Sequence, residues 1–298
     1  MWFKQAKIFQ LPNAKNYTTN KLDNKLNKLE FQACLPSLPV SYGWITPIDQ
    51  DHTPLSFTEN GYSLICMQLE EKILPATVVT QELNNKIKNI KSSKGRKVYK
   101  KEKQELKDEI TSNLLPKAFS KLSKIHAYID MEHDLIIIDT TVKSKLDKFI
   151  SLFKKTFGDN AYHEVETKKI APILTRWLLN DSYPSSLAIE QSCVMIDPNQ
   201  QSRVIRCQHQ DLSFKAIQQL LQDGYTINQL SLNWQDKITF TLTDDFDLKT
   251  IKYTDDVIDL AKDNYQESPE HKLFADFYIM TETLSTLINK LVKLFGKK

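Results

Sequence analysis

The sequence predicts an α+β fold of antiparallel sheets with helices, and three observations predict it. Strand-like runs at 125–129 and 135–140 flank the polar turn Asp130-Met131-Glu132-His133-Asp134, and runs at 226–234 and 237–243 pair in the same way. Helical spacing follows the first hairpin, with Leu146, Phe149, Ile150 and Phe153 on one face. An order of strand, polar exit, helix, hairpin and helix occurs around 62–157 and again around 202–262, which suggests a duplicated motif and places helices beside antiparallel hairpins.

Taken in order, residues 2–11 alternate as a strand. Thr18-Thr19-Asn20 offers a cap for a helix carrying Leu22, Leu26 and Leu29. The stretch 36–54, with Gly43-Trp44 and Pro47 inside it, is expected as loop, and 62–69 as a strand buried on both faces at its centre. After the first hairpin, Gly158 stops the helix, and 170–179 makes a short helix containing Trp177. The second half opens on a strand at 202–207. A helix starts at Asp211-Leu212-Ser213, carries Ile217, Leu220 and Leu221, and closes at Gly224. After the second hairpin come a strand at 249–253, a helix with Val257, Leu260 and Ala261, and a long final helix over 274–295. The expected organisation is a central α+β domain from 1–75 and 125–170, a basic helical tip at 76–124, and a second α+β base domain at 171–298.

The tip carries the charge. Lys86, Lys88, Lys91, Lys94, Arg96, Lys97, Lys100, Lys101, Lys103 and Lys107 face only Glu102 and Glu105 between positions 86 and 107, a local +8. The whole chain is +3, which leaves −5 for everything else. Leu83, Ile87 and Ile90, then Leu106, Ile110 and Leu114, recur at helical spacing on either side of Ser92-Ser93-Lys94-Gly95. A projecting helical hairpin with lysines on its tip and outer faces follows. Surface helices that serve solubility mix signs at i, i+4 spacing, whereas no acid interrupts 86–101. That pattern points to a polyanion, and lysine points to phosphate rather than base edges. Beyond Pro116, residues 117–122 are expected as a short helical piece. Leu115 and Leu122 would form its inward face and Phe119, between Lys117 and Lys121, would be free to meet a partner.

Other constellations carry less. Asp244-Asp245-Phe246-Asp247 lacks the glycine and terminal glutamate of a calcium loop and is expected as a turn, with Asp255-Asp256 shortly after it. Asp130, His133 and Asp134 sit at a hairpin tip, and His163-Glu164-Val165-Glu166 has no second histidine at ligand spacing. No phosphate-cradling glycine loop or nucleophile motif occurs, so no catalytic residue, metal or cofactor is expected. Cys34, Cys66, Cys193 and Cys207 form no C-x-x-C pair and suit a reducing compartment. The charged start Met1-Trp2-Phe3-Lys4 and the absence of a long apolar run predict a soluble cytoplasmic protein with no membrane partner.

The chain resembles the bacterial recombination-associated RdgC family along essentially its whole length. The resemblance rests on Trp2-Phe3-Lys4, Gly43-Trp44, Glu70-Glu71-Lys72-Ile73-Leu74-Pro75, and the run from Leu106-Lys107-Asp108-Glu109 through Leu114-Leu115-Pro116-Lys117-Ala118-Phe119-Ser120. Thr175-Arg176-Trp177, Leu232-Asn233-Trp234-Gln235 and Asp276-Phe277-Tyr278-Ile279-Met280-Thr281 complete it. It implies a ring-shaped homodimer that encircles double-stranded DNA without sequence preference, associates with the nucleoid and limits access of the RecA recombinase. Lys86, Lys88, Lys91, Lys94, Arg96, Lys97, Lys100, Lys101, Lys103, Lys117 and Lys121 are then the candidate DNA contacts, with Phe119 near a subunit interface. The family pattern has lysines just before Gln210-Asp211-Leu212. Here Gln208 and His209 stand there, so a DNA contact at that point does not carry over. The competing reading is a protein-interaction adaptor whose basic arm docks an acidic partner.

Overall fold

The computed structural model describes residues 1–48, 54–263 and 269–297. Its first elements are β1 (Lys7–Gln10), α1 (Thr19–Leu26), β2 (Val40–Ile45), β3 (Ser56–Glu59), β4 (Tyr62–Ile73), α2 (Ala76–Lys94) and α3 (Lys100–Leu114). Next come β5 (Phe119–Asp130), β6 (Leu135–Ile138), α4 (Lys143–Phe157), β7 (His163–Glu164), α5 (Ile170–Asn180), β8 (Leu187–Asp197) and β9 (Gln200–Gln208). The chain ends with α6 (Lys215–Gln222), β10 (Thr226–Trp234), β11 (Ile238–Thr243), β12 (Leu248–Tyr253), α7 (Asp255–Asp263) and α8 (Pro269–Phe295).

The described strands form two antiparallel sheets, as α+β patterning requires. The first runs β2-β4-β5-β6-β1-β7, with β3 sharing the β2 edge of β4. The second runs β12-β11-β10-β8-β9. Strand alternation divides the first sheet between two apolar layers. Phe9, Ile65, Met67, Leu69, Ile125, Ala127, Ile136 and Ile138 face Phe149, Leu152 and Phe153 of α4 and Leu22 and Leu26 of α1. Ile8, Leu64, Tyr128 and Ile137 face the other way. There they join α8 and the second sheet in one continuous core. Both faces of β6 and of the Tyr62–Leu69 part of β4 are covered, which is why those stretches read as largely apolar runs.

Helix α8 is the shared wall of that core, with Phe277, Met280, Leu284, Leu287, Ile288, Leu291 and Phe295 buried at helical spacing. Tyr128 on β5 meets Ser285 of α8 at 3.0 Å, and Phe57 on β3 stacks on Phe274 with centroids 4.7 Å apart. The N-terminal segment stitches the sheets together. Ala6 exchanges two backbone hydrogen bonds with Leu248 on β12, and Ile251 donates to the Lys4 carbonyl, before Lys7–Gln10 pairs with β6.

Four expectations from sequence change. The stretch 36–54 is not all loop, since Val40–Ile45 pairs with β4; residues 49–53 lie outside the described residues. Gly43 belongs to that strand because a Cβ there would lie 2.5 Å from the Phe31 Cα, so the glycine marks a close approach rather than a turn. Residues 117–122 are not helical. Pro116 sits in a single 3-10 turn, Ala118 is extended, and from Phe119 the chain pairs with β4. The strand partner outweighs local helical spacing. The helix expected from Asp211 starts at Lys215, because the Asp211 carboxylate accepts from the Ser213 N–H and hydroxyl in a local turn. Finally, the two halves echo in element order but not in pairing. β4 pairs directly with β5, whereas β8, which carries no strong alternation in sequence, lies between β9 and β10.

Candidate nucleic-acid interface

Two helices carry the basic segment, and their ends follow from local chemistry. Pro75 is extended and precedes α2, where its missing N–H costs nothing. Gly95 ends α2 in the left-handed conformation, its N–H donating to the Lys91 carbonyl at 3.1 Å. Tyr99, also extended, opens α3. The helices pack through Val79, Leu83 and Ile110, with Leu74, Ile87, Leu106 and Leu114 around them. This cluster shares no residue with the two larger cores. Everything else on the pair is free to be polar.

Two of the ten basic residues are engaged. Lys86 reaches across to Glu109 at 2.8 Å and tethers α2 to α3. Arg96 grips Glu102 through two bonds of 2.7 and 2.6 Å. That guanidinium holds the Glu102 carboxyl below the ordinary carboxylate range, and Glu102 in turn pushes Arg96 up. Lys88, Lys91, Lys97, Lys100, Lys101, Lys103 and Lys107 are exposed and make no ion pair among the described residues. Lys94 is exposed as well and lies within electrostatic reach of Glu102. Lys117 and Lys121 are exposed beyond the end of α3, so the positive surface continues from the hairpin onto the strand that leaves it.

That strand holds the second feature. The outer ends of β4 and β5 pair Glu70 with Leu122, Glu71 with Lys121, Lys72 with Ser120 and Ile73 with Phe119. Phe119 is 85% exposed, Leu122 61% and Ile73 50%. Phe119 and Leu122 fall on opposite faces of the pair by strand alternation, so this end of the ribbon is uncovered on both sides. Leu115, expected to line an inward face, is buried, whereas Leu122 is not. Nearby, the Cys34 N–H donates to Glu70 at 2.8 Å, and Cys34 Sγ contacts the Leu38 carbonyl at 3.2 Å. Bonds from Ser120 and Cys34 hold the Glu70 carboxyl low. The Cys34 contacts, with the Lys72 N–H donating to the Pro39 carbonyl, bring the exposed Leu35 and Leu38 to the same end of the sheet. Sequence reading found Phe119 and missed Ile73, Leu122, Leu35 and Leu38. No two-residue alternation marks Ile73 or Leu122 in the sequence, where Phe119, Leu122 and Ile125 recur every three residues as in a helix; the pairing with β4 is what exposes them.

The remaining candidates resolve into turns. Buried Asp130 accepts the Glu132 and His133 N–H groups and meets His133 Nδ1 at 3.0 Å. Asp134 caps Ala14 at 2.8 Å. Asp244-Asp245-Phe246-Asp247 joins β11 to β12, with Phe246 in the left-handed region. Gln208 ends β9, and His209 follows it in a left-handed turn, both exposed. Among the described residues no three His, Cys, Asp or Glu side chains gather at metal-binding distance. No described helix is long and apolar enough to cross a membrane.

These elements define a two-sheet α+β protein with a cluster of unpaired cations on one helical hairpin. The chain belongs to the RdgC family: a family model described as "Putative exonuclease, RdgC" matches residues 1–298. It is 31% identical over 297 residues to the recombination-associated protein RdgC of Yersinia pestis (strain Pestoides F), covering 99% of this chain and 98% of that one. The recombination-associated protein RdgC of Yersinia enterocolitica is similar to the same extent.

Proposed function

We propose that this protein binds double-stranded DNA without sequence preference, as a ring-shaped homodimer, and so limits the access of RecA recombinase to DNA. The observation that carries the DNA reading is the hairpin surface, where seven exposed lysines make no ion pair among the described residues. Lysine-rich surfaces bind phosphate by releasing counterions, which gives affinity without base discrimination. The ring reading draws on the family resemblance together with the exposed ribbon at Phe119, Ile73 and Leu122, a surface suited to a second copy. In this reading the sheets at 1–75 and 125–170 and the base at 171–298 form the body, and the hairpin at 76–124 projects from it. The protein acts in the cytoplasm at the nucleoid.

The family description includes the word exonuclease. Binding without cleavage is the reading we favour, because the exposed lysines of the hairpin supply phosphate contacts. The test is a titration of random-sequence duplex at two salt concentrations, with mass measured in parallel and the DNA examined for degradation with magnesium present. Saturable binding of intact DNA by a dimer, insensitive to sequence, is expected. A flat salt response, preference for one sequence, or loss of nucleotides from the ends sinks the proposal.

A further inference from the structure

Trp234 ends β10 opposite Leu187 of β8, and beside this pair a pocket of about 340 Å³ opens against α8. Leu187, Leu287, Leu291 and Trp234 supply apolar walls, and Lys290 and Lys293 supply the charge. Lys290 Nζ lies 5.1 Å from the centre of the Trp234 ring and Lys237 Nζ 5.8 Å from it. Among the described residues no aspartate or glutamate lines the pocket, and none of the three lysines has an ion-pair partner. The Trp234 indole N–H is shielded from solvent and also has no hydrogen-bond partner among the described residues. Buried indole N–H groups ordinarily find one. The site lies on the second sheet and α8, and the hairpin contributes nothing to it.

We propose that this pocket captures the free C-terminus of an acidic peptide that ends in a large apolar residue. Its volume is near the lower end for ligand pockets and suits one such side chain rather than a long acyl chain. Lys290 and Lys293 take the terminal carboxylate by charge-assisted hydrogen bonds. With Lys237, three cations exceed the need of one carboxylate, which is why acidic residues are expected before the terminal one. The site is independent of the DNA reading.

The test is calorimetric titration of the full chain with a tetrapeptide of three aspartates and a C-terminal phenylalanine, beside the same peptide amidated at its C-terminus. The free acid is expected to bind saturably and the amide about tenfold more weakly. Both Lys290 and Lys293 are exposed, so Lys290→Ala with Lys293→Ala should fold normally and weaken the free acid by about tenfold or more. A hairpin variant, Lys100→Ala with Lys101→Ala, should bind the peptide unchanged. Equal binding of the amide, no saturable heat, or loss of binding in the hairpin variant overturns the proposal. Binding of decanoate that depends on Lys290, with no peptide binding, assigns the pocket to a free acid and overturns it too.

Discussion

Phe119 and Ile73 are direct partners across β4 and β5, and both side chains stand in solvent. Directly opposed residues share a face, so the two form one apolar step at the end of a ribbon that neither α4 nor α8 covers. Phe119→Ala should therefore leave the melting transition nearly unchanged, because no core contact is lost. A buried phenylalanine would cost about 3–5 kcal/mol. In the proposed ring, truncation at an interface anchor costs about 2 kcal/mol or more. Reduced retention on circular DNA with intact thermal stability is the expected pair of results. A large fall in melting temperature would place Phe119 in the core of the fold.

The hairpin cations are not equivalent. Arg96 and Lys86 are held by Glu102 and Glu109, so their reversal disturbs local pairing as well as any phosphate contact. Lys97, Lys100 and Lys101 are exposed and make no ion pair among the described residues. Changing these three to Glu should weaken duplex binding while the fold survives. If about five phosphates are neutralised, log K should fall with log salt at a slope of about −4 to −5, and losing three contacts should bring the slope to about −2. Unchanged affinity and slope would move the DNA site off the hairpin and favour an acidic protein partner.

Much of this arrangement is legible in the amino-acid sequence, and the exceptions share a cause. Helices α2 and α3 are announced by Leu83, Ile87, Leu106 and Ile110 and by Gly95 between them. Their pattern is local, and so is the physics that sets it. The fate of 117–122 is non-local. Lys117, Phe119 and Leu122 fit a helix in isolation, and only the register of Ile73 against Phe119 makes them a strand. Strand β2 is hidden for a similar reason, since Gly43 answers to the Phe31 backbone and not to its neighbours in sequence. At the interface, the basic composition is visible in sequence. Which cations are spent on Glu102 and Glu109 depends on how two helices face each other.

The hairpin core is small enough to fail on its own. Val79, Leu83 and Ile110 are its buried residues, and helices in proteins draw most of their stability from packing of this kind. Ile110→Ala removes about 2–4 kcal/mol of local packing. Amide exchange over 76–114 should then approach unprotected rates while the strands of both sheets keep their protection. An equal loss of protection in β5 and β10 would show that the hairpin and the body unfold as one unit.

Asp139 sets an expected pH dependence. It follows β6 and accepts the Lys4 and Gln5 N–H groups, both at 3.0 Å, where the N-terminal segment crosses between the sheets. Burial pushes its carboxyl from 3.8 up to about 6, against the opposing pull of those two bonds and of Lys4. The folded form thus holds its proton more tightly than the unfolded chain. Its contribution to stability is greatest below pH 3.8, falls as pH rises through the window to about 6, and is flat above it. The rise corresponds to about 3 kcal/mol at most. Asp139→Asn keeps an oxygen acceptor for both N–H groups without the buried charge. Carboxylates held low, such as Glu70 and Glu102, titrate in both proteins and cancel in the comparison. The stability difference, variant minus parent, should climb between pH 4 and 6 and then plateau, measured by urea unfolding at each pH. A difference that stays constant or shrinks over that window would mean the Asp139 carboxylate is well solvated or better paired in solution than its burial implies.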